Sequence, residues 1–301
     1  MRRFKNTIIY AVARALIGAL GLVPEGKVRP AGRLLGRLAH LLAGPERRLA
    51  RLQLEDRLDI SAPRAALLGR GVFAQLGTSA VELCRLLRDP NSAPPVVIPP
   101  ASLAALDEAL APGRGVVYAT GHIGNWELMA AALARAGYGV STIAKESYDP
   151  RFTALLDSGR SGFGVSCIYR GTPGASAAML RALGANRLLG ILVDQDTDVP
   201  GAFVPFLGLD AHTPTGAAAL ARRTSATLVV GSIRRTASGT HVIEIAPVEP
   251  GGSDEETTAR ISAILGSRVA DHPSQWVWFH QRWKTRPVDR RRAGTQRGEA
   301  A

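Results

Sequence analysis

The stretch "GVVYATGHIGNWELMAAALARAG" (Gly115–Gly137) decides the fold. Its first five residues form an apolar run, Gly115–Ala119, that reads as a short buried strand. A corner containing Gly121, His122 and Gly124 follows, with glycines to relax the backbone there. Asn125 is a good N-cap, and Asn125–Ala136 reads as a helix that Gly137 closes. Working outward, the pattern repeats. Val140–Ala144 and Val165–Tyr169 read as strands, and Gly174–Leu183 as a helix. Leu188–Val193 reads as a buried strand running into Asp194-Gln195-Asp196. Pro214–Thr224 looks helical, with Thr213 as N-cap and proline at the first position. Thr227–Ile233 and His241–Ile245 are expected strands, and Ser253 with Glu256 forms a capping box before a helix to about Ala270. Such alternation predicts an α/β fold, a mixed and mostly parallel central sheet flanked by helices.

His122 should therefore stand at the C-terminal end of a strand, the edge where open α/β sheets place ligands. Glu127 follows five residues later, in the first helical turn. On one continuous helix the two side chains would diverge, but with the histidine on the preceding turn they can converge. A carboxylate on one imidazole nitrogen fixes the tautomer and raises the basicity of the other, which could take a proton from a substrate hydroxyl. The competing reading is a strand-to-helix corner with a buried histidine. No G-x-S-x-G is present, and neither H-E-x-x-H nor a Cys/His cluster occurs, so no serine nucleophile, metal or cofactor is expected. Cys84 and Cys167 lie far apart and read as core residues of a reduced compartment.

The 301 residues carry a formal charge of +12, and 33 of the 37 basic residues are arginine. The positive sign points to a polyanionic partner, either nucleic acid or an anionic lipid surface. The N-terminus favours lipid. Residues 7–23 are apolar but interrupted by Arg14, too short for a comfortable span, and Pro24-Glu25-Gly26 does not resemble a signal cleavage site. Arg2, Arg3, Lys5 and Arg14, with Ile8, Ile9, Leu16, Ile17 and Leu20, suggest a basic amphipathic helix lying in the interface. A marginal single span and an ordinary core helix are the alternatives. Ala31–Ala43 forms a second apolar-rich helix bearing Arg33, Arg37 and His40, and no recognisable nucleic-acid module occurs. Residues 1–23 are thus read as a membrane-associating helix and 24–100 as a helical part ending at the Pro-rich break Asp89–Pro100. Residues 101–287 form the α/β core, and 288–301 a basic disordered tail.

"GHIGNWE" (Gly121–Glu127) resembles the H-x4-D/E block of the lysophospholipid acyltransferase superfamily, and its Gly-Asn-Trp interior resembles the late acyltransferases of lipid A biosynthesis. "VDQDTDVPGAFVPFLGLDAHTPTGAAALARRTSA" (Val193–Ala226) and "HPSQWVWFHQRWKTRP" (His272–Pro287) are similar to further blocks of that branch, in the same order. The resemblance implies a glycerolphosphate-acyltransferase-like fold with an N-terminal membrane-docking segment. It also implies transfer of a fatty acyl chain from acyl carrier protein or acyl-CoA to a hydroxyl of an anionic membrane glycolipid. A lipid A precursor is the first expected acceptor, and a phosphatidylinositol mannoside or other glycolipid the alternative. A non-catalytic protein binding lipid or nucleic acid is the reading from another class. His122 carries over as general base and Glu127 as its orienting partner, with Arg170 on the family's arginine. Asn125, Asp194, Gln195 and Asp196 are candidate substrate-binding residues, each with a capping or turn role as its plainer reading. Arg222, Arg223, Arg234, Arg235, Arg282, Lys284 and Arg286 could together grip lipid phosphates, and Trp276, Trp278, Phe279 and Trp283 read as core. The implied location is the cytoplasmic face of a bacterial inner membrane, without nucleic acid.

Overall fold

A computed structural model describes residues 2–287, without the side chains of residues 2–5 and 8. The 288–301 tail and the side chains of Arg2, Arg3, Lys5 and Ile8 lie outside the described residues. Four helices come first: α1 (Arg2–Leu20), α2 (Val28–Leu42), α3 (Gly44–Leu58) and α4 (Ala62–Arg88). The α/β part then runs β1 (Val96–Val97), α5 (Pro100–Leu110), β2 (Val116–Thr120), α6 (Trp126–Arg135), β3 (Val140–Ala144) and α7 (Pro150–Gly162). It continues through β4 (Val165–Tyr169), α8 (Ala175–Gly184), β5 (Leu188–Leu192), β6 (Gly201–Phe206), β7 (Leu209–Pro214) and α9 (Gly216–Thr224). It ends with β8 (Thr227–Arg235), β9 (His241–Pro247) and α10 (Asp254–Asp271).

The seven-stranded sheet has the order β1-β9-β8-β2-β5-β3-β4. Every pairing in it is parallel except β8 with β9, which a tight turn joins. Strands buried on both faces need no alternation, and all five residues of β2 are buried. One face packs Tyr118, Leu188 and Val229 against Leu106 of α5 and Leu128 and Leu133 of α6. The other packs Val117, Leu189 and Val230 against Leu183 of α8, Ala217 of α9 and Leu265 of α10, with Trp276, Trp278 and Trp283 in the same cluster. The tryptophans are core, as their sequence suggested.

One expected helix start is corrected. Thr213 and Pro214 end β7, paired with Ala202 and Gly201 across an antiparallel hairpin, and α9 begins at Gly216 after the N-cap Thr215. Burial decided it: Ala211, His212 and Thr213 are all buried, and a strand supplies their backbone partners.

The N-terminal helices are held by close backbone contact. A Cβ on Gly36 of α2 would stand 2.2 Å from the Phe73 carbonyl oxygen of α4. Gly36→Ala should therefore force the helices apart and cost about 1–3 kcal/mol. Urea denaturation measures it, and an unchanged midpoint would mean the two helices separate freely. On the outside, Ile9, Val12 and Leu16 of α1 and Leu34, Leu38, Leu41 and Leu42 of α2 are exposed. No single helix among the described residues is long and apolar enough to cross a membrane.

Candidate active site

β2 delivers His122 at the C-terminal edge of the sheet, one residue beyond Gly121. The corner is tight. Gly124 has φ 64°, and a Cβ there would lie 2.0 Å from the Ile233 carbonyl oxygen, so only glycine fits. The Gly124 N–H donates to the Gln275 carbonyl at 2.7 Å, and Ile123 forms an isolated antiparallel bridge with Trp276. The closing aromatic block is thereby stitched to the histidine loop. Trp126 stacks edge-on against the imidazole, with ring centroids 4.9 Å apart.

The partner of His122 is Asp194, not Glu127. Asp194 follows β5 by two residues, and β5 lies beside β2. Its Oδ1 stands 2.8 Å from His122 Nδ1, while Oδ2 accepts the His122 backbone N–H at 2.6 Å and the Trp276 indole N–H at 2.7 Å. With Oδ1 accepting, Nδ1 carries the hydrogen in the neutral ring and Nε2 presents a lone pair. Burial works against an imidazolium here. The charge and hydrogen bond of Asp194, and then the charge of Glu127, outweigh it and raise the His122 pKa above its ordinary value. Burial would likewise raise the Asp194 carboxyl, but His122 and the Trp276 bond hold it down at about 2.

The β3–β5 ladder stops at Thr142–Gly190. Residues beyond it on both strands, Ile143, Ala144, Ile191 and Leu192, line a cavity of about 990 Å³ that His122 also lines. Its lining takes Met129 and Leu133 from α6, Leu188 from β5, Met179 and Leu180 from α8, and Leu220 from α9. Its volume is at the upper end for small-molecule sites. A large, mostly apolar cavity with a carboxylate-paired imidazole at its wall suits a long hydrocarbon chain whose reactive end must meet a base.

A family of bacterial lipid A biosynthesis acyltransferases matches residues 2–285 of this sequence. The chain belongs to that family. It is also similar to the phosphatidylinositol mannoside acyltransferase of Mycobacterium tuberculosis, 27% identical over 194 residues, which are 62% of this chain and 60% of that protein. The enzyme of the same name from Mycolicibacterium smegmatis is 27% identical over 191 residues, 62% of each chain. The matches thus span about three fifths of the length of these relatives.

The remaining residues singled out in this family member separate into two groups. Glu127 and Arg170 line the cavity with His122, as does Gln195, whose side-chain nitrogen is 3.4 Å from His122 Nε2. Glu127 makes no hydrogen bond to the imidazole. It is instead paired with Arg160 of α7, at 3.0 Å to Nε and 2.5 Å to Nη2, and acts on His122 through its charge. Arg160 gave no sequence signal, because its partner lies 33 residues away. Lys145, Arg170 and Arg223 also line the cavity and have no ion pair among the described residues.

Asn125 and Asp196 do not line the cavity. Asn125 is buried, caps α6 by accepting the Leu128 N–H at 3.2 Å, and donates to Glu82 at 3.0 Å. Asp196 accepts the Thr285 backbone N–H and hydroxyl at 2.7 and 3.0 Å and so anchors the closing block. The collective phosphate grip also comes apart. Arg222 and Arg234 pair with Asp254 and Glu244. Arg235 and Arg282 are buried, Arg282 donating to the His212 carbonyl and the Thr213 hydroxyl. Of those seven basic residues only Arg223 reaches the cavity.

Proposed function

We propose that this chain transfers a fatty acyl group from a thioester donor, acyl carrier protein or acyl-CoA, to a hydroxyl of an anionic membrane glycolipid. One observation carries the reading: an imidazole with Nδ1 held by a buried carboxylate stands at the wall of a large apolar cavity. His122 Nε2 takes the acceptor hydroxyl proton as that oxygen attacks the thioester carbonyl. The tetrahedral intermediate collapses, the carbon–sulfur bond breaks, and the imidazolium returns the proton to the departing thiolate. An ester and a free thiol result. The Gln195 amide, 3.4 Å from His122 Nε2, would turn from that nitrogen to donate to the developing oxyanion, and Lys145, Arg170 and Arg223 would supply positive charge for a phosphate of donor or acceptor.

The family favours a lipid A precursor as acceptor, and the mycobacterial relatives favour a phosphatidylinositol mannoside as the second reading. The exposed leucines of α1 and α2, beside Arg33 and Arg37, would seat the enzyme on the cytoplasmic face of the inner membrane. Mass spectrometry of membrane glycolipids from cells with and without the gene tests the whole reading. One acyl chain should disappear from one glycolipid class. Identical glycolipid profiles would refute it.

A further inference from the structure

Behind the histidine loop lies a buried polar cluster that the chemistry above does not use. Its centre is Glu82 of α4, in the helical part of the chain. Oε1 accepts from Arg235 Nε at 3.2 Å and faces His241 Nε2 at 3.1 Å, and Oε2 accepts from Arg235 Nη2 at 2.7 Å and Asn125 Nδ2 at 3.0 Å. Both oxygens are thus fully committed. Arg235 also donates to Gln75 and Ser79, which share one face of α4 with Glu82. Arg235 ends β8 and His241 begins β9, so the carboxylate spans both strands of that hairpin.

Two routes lead from this cluster to the base. Asn125, which Glu82 holds, is three residues past His122 and fixes the start of α6. On the other side, the Arg235 backbone exchanges two hydrogen bonds with the Gln275 side chain, at 2.7 and 2.8 Å. The Gln275 carbonyl takes the Gly124 N–H, and the next residue, Trp276, donates to Asp194. Both members of the His122–Asp194 pair are therefore fixed from one point. Burial of the Glu82 carboxyl costs it solvation, yet the His241 bond and the Arg235 charge keep it ionised, with a pKa of about 2. A buried ion pair is weak as a stability device, since apolar residues of similar volume commonly replace such pairs without loss.

We propose that Glu82 is a positioning residue for the acyl transfer, its carboxylate holding Asn125 and Arg235 so that the His122 loop and Trp276 keep the base aligned. The inference rests on His122 acting as the base.

The test uses the full chain, palmitoyl-CoA or the palmitoyl thioester of acyl carrier protein as donor, and a membrane glycolipid extract of the host as acceptor. Thiol release is followed. Asn125→Ser keeps a capping oxygen but loses the link to Glu82, and Glu82→Met/Arg235→Met removes the ion pair as a unit. Each should fold, by circular dichroism, and lose about 10–100-fold in kcat, the scale of a misplaced catalytic group, with the donor KM within about twofold. A purely structural role would lower the melting temperature and leave kcat per folded molecule unchanged. Full turnover in either folded variant, beside an inactive His122→Ala, overturns this proposal alone. Full turnover in His122→Ala overturns the general-base reading and this proposal with it.

Discussion

His122→Ala lowers kcat for acyl transfer by about 10²–10⁴-fold, the usual contribution of a positioned general base. The donor KM should change little, because the apolar lining supplies the chain's contacts and His122 is one residue among many in that wall. The protein should also remain folded. Asp194 keeps the His122 backbone N–H and the Trp276 indole N–H on Oδ2, and only Oδ1 loses its partner. One bond lost from a buried carboxylate costs about 1–3 kcal/mol. Steady-state kinetics on the folded variant decide the matter. Retention of a tenth or more of wild-type kcat would remove His122 from the reaction, and the cavity would then be a binding site only.

How much of this was legible in the sequence depends on distance along the chain. The strand, corner and helix around His122 could be read because every signal for them is local: an apolar run, two glycines, an asparagine cap and a closing glycine. The partner of the base could not. Glu127 is near in sequence and carries the right chemistry, but α6 turns its carboxylate toward Arg160. Asp194 is 72 residues away, and only the placing of β5 beside β2 brings it to Nδ1. Its one sequence signal was its position at the end of a buried strand on the same edge. Thr213-Pro214 shows the converse error, a strong local helix-start signal overruled by the hairpin in which β7 pairs with β6. Arg235 and Arg282 misled for a third reason. Composition counts charges without showing which are neutralised inside, and Glu82 holds the first while main-chain and hydroxyl oxygens hold the second.

The same geometry predicts that Asp194→Asn is nearly as damaging as loss of the histidine, and in a diagnostic way. Two N–H donors, from the His122 backbone and Trp276, converge on Oδ2. An asparagine must turn its carbonyl oxygen to them, which points its NH2 group at His122 Nδ1. Nδ1 must then accept, so the hydrogen of the neutral ring moves to Nε2, and the nitrogen facing the substrate can no longer take a proton. A loss of about 10²–10⁴-fold in kcat follows, without loss of the imidazole. The pH profile should separate this variant from a misfolded one. Wild-type activity needs the neutral ring, so it should fall as pH drops through the raised His122 pKa, above the ordinary histidine value. Removing the Asp194 charge and hydrogen bond leaves burial opposed only by Glu127. The acid limb of the residual activity should therefore move to lower pH while its plateau falls. An unmoved acid limb in kcat/KM would show that Asp194 does not tune the group that titrates, and the pairing at 2.8 Å would have to be structural.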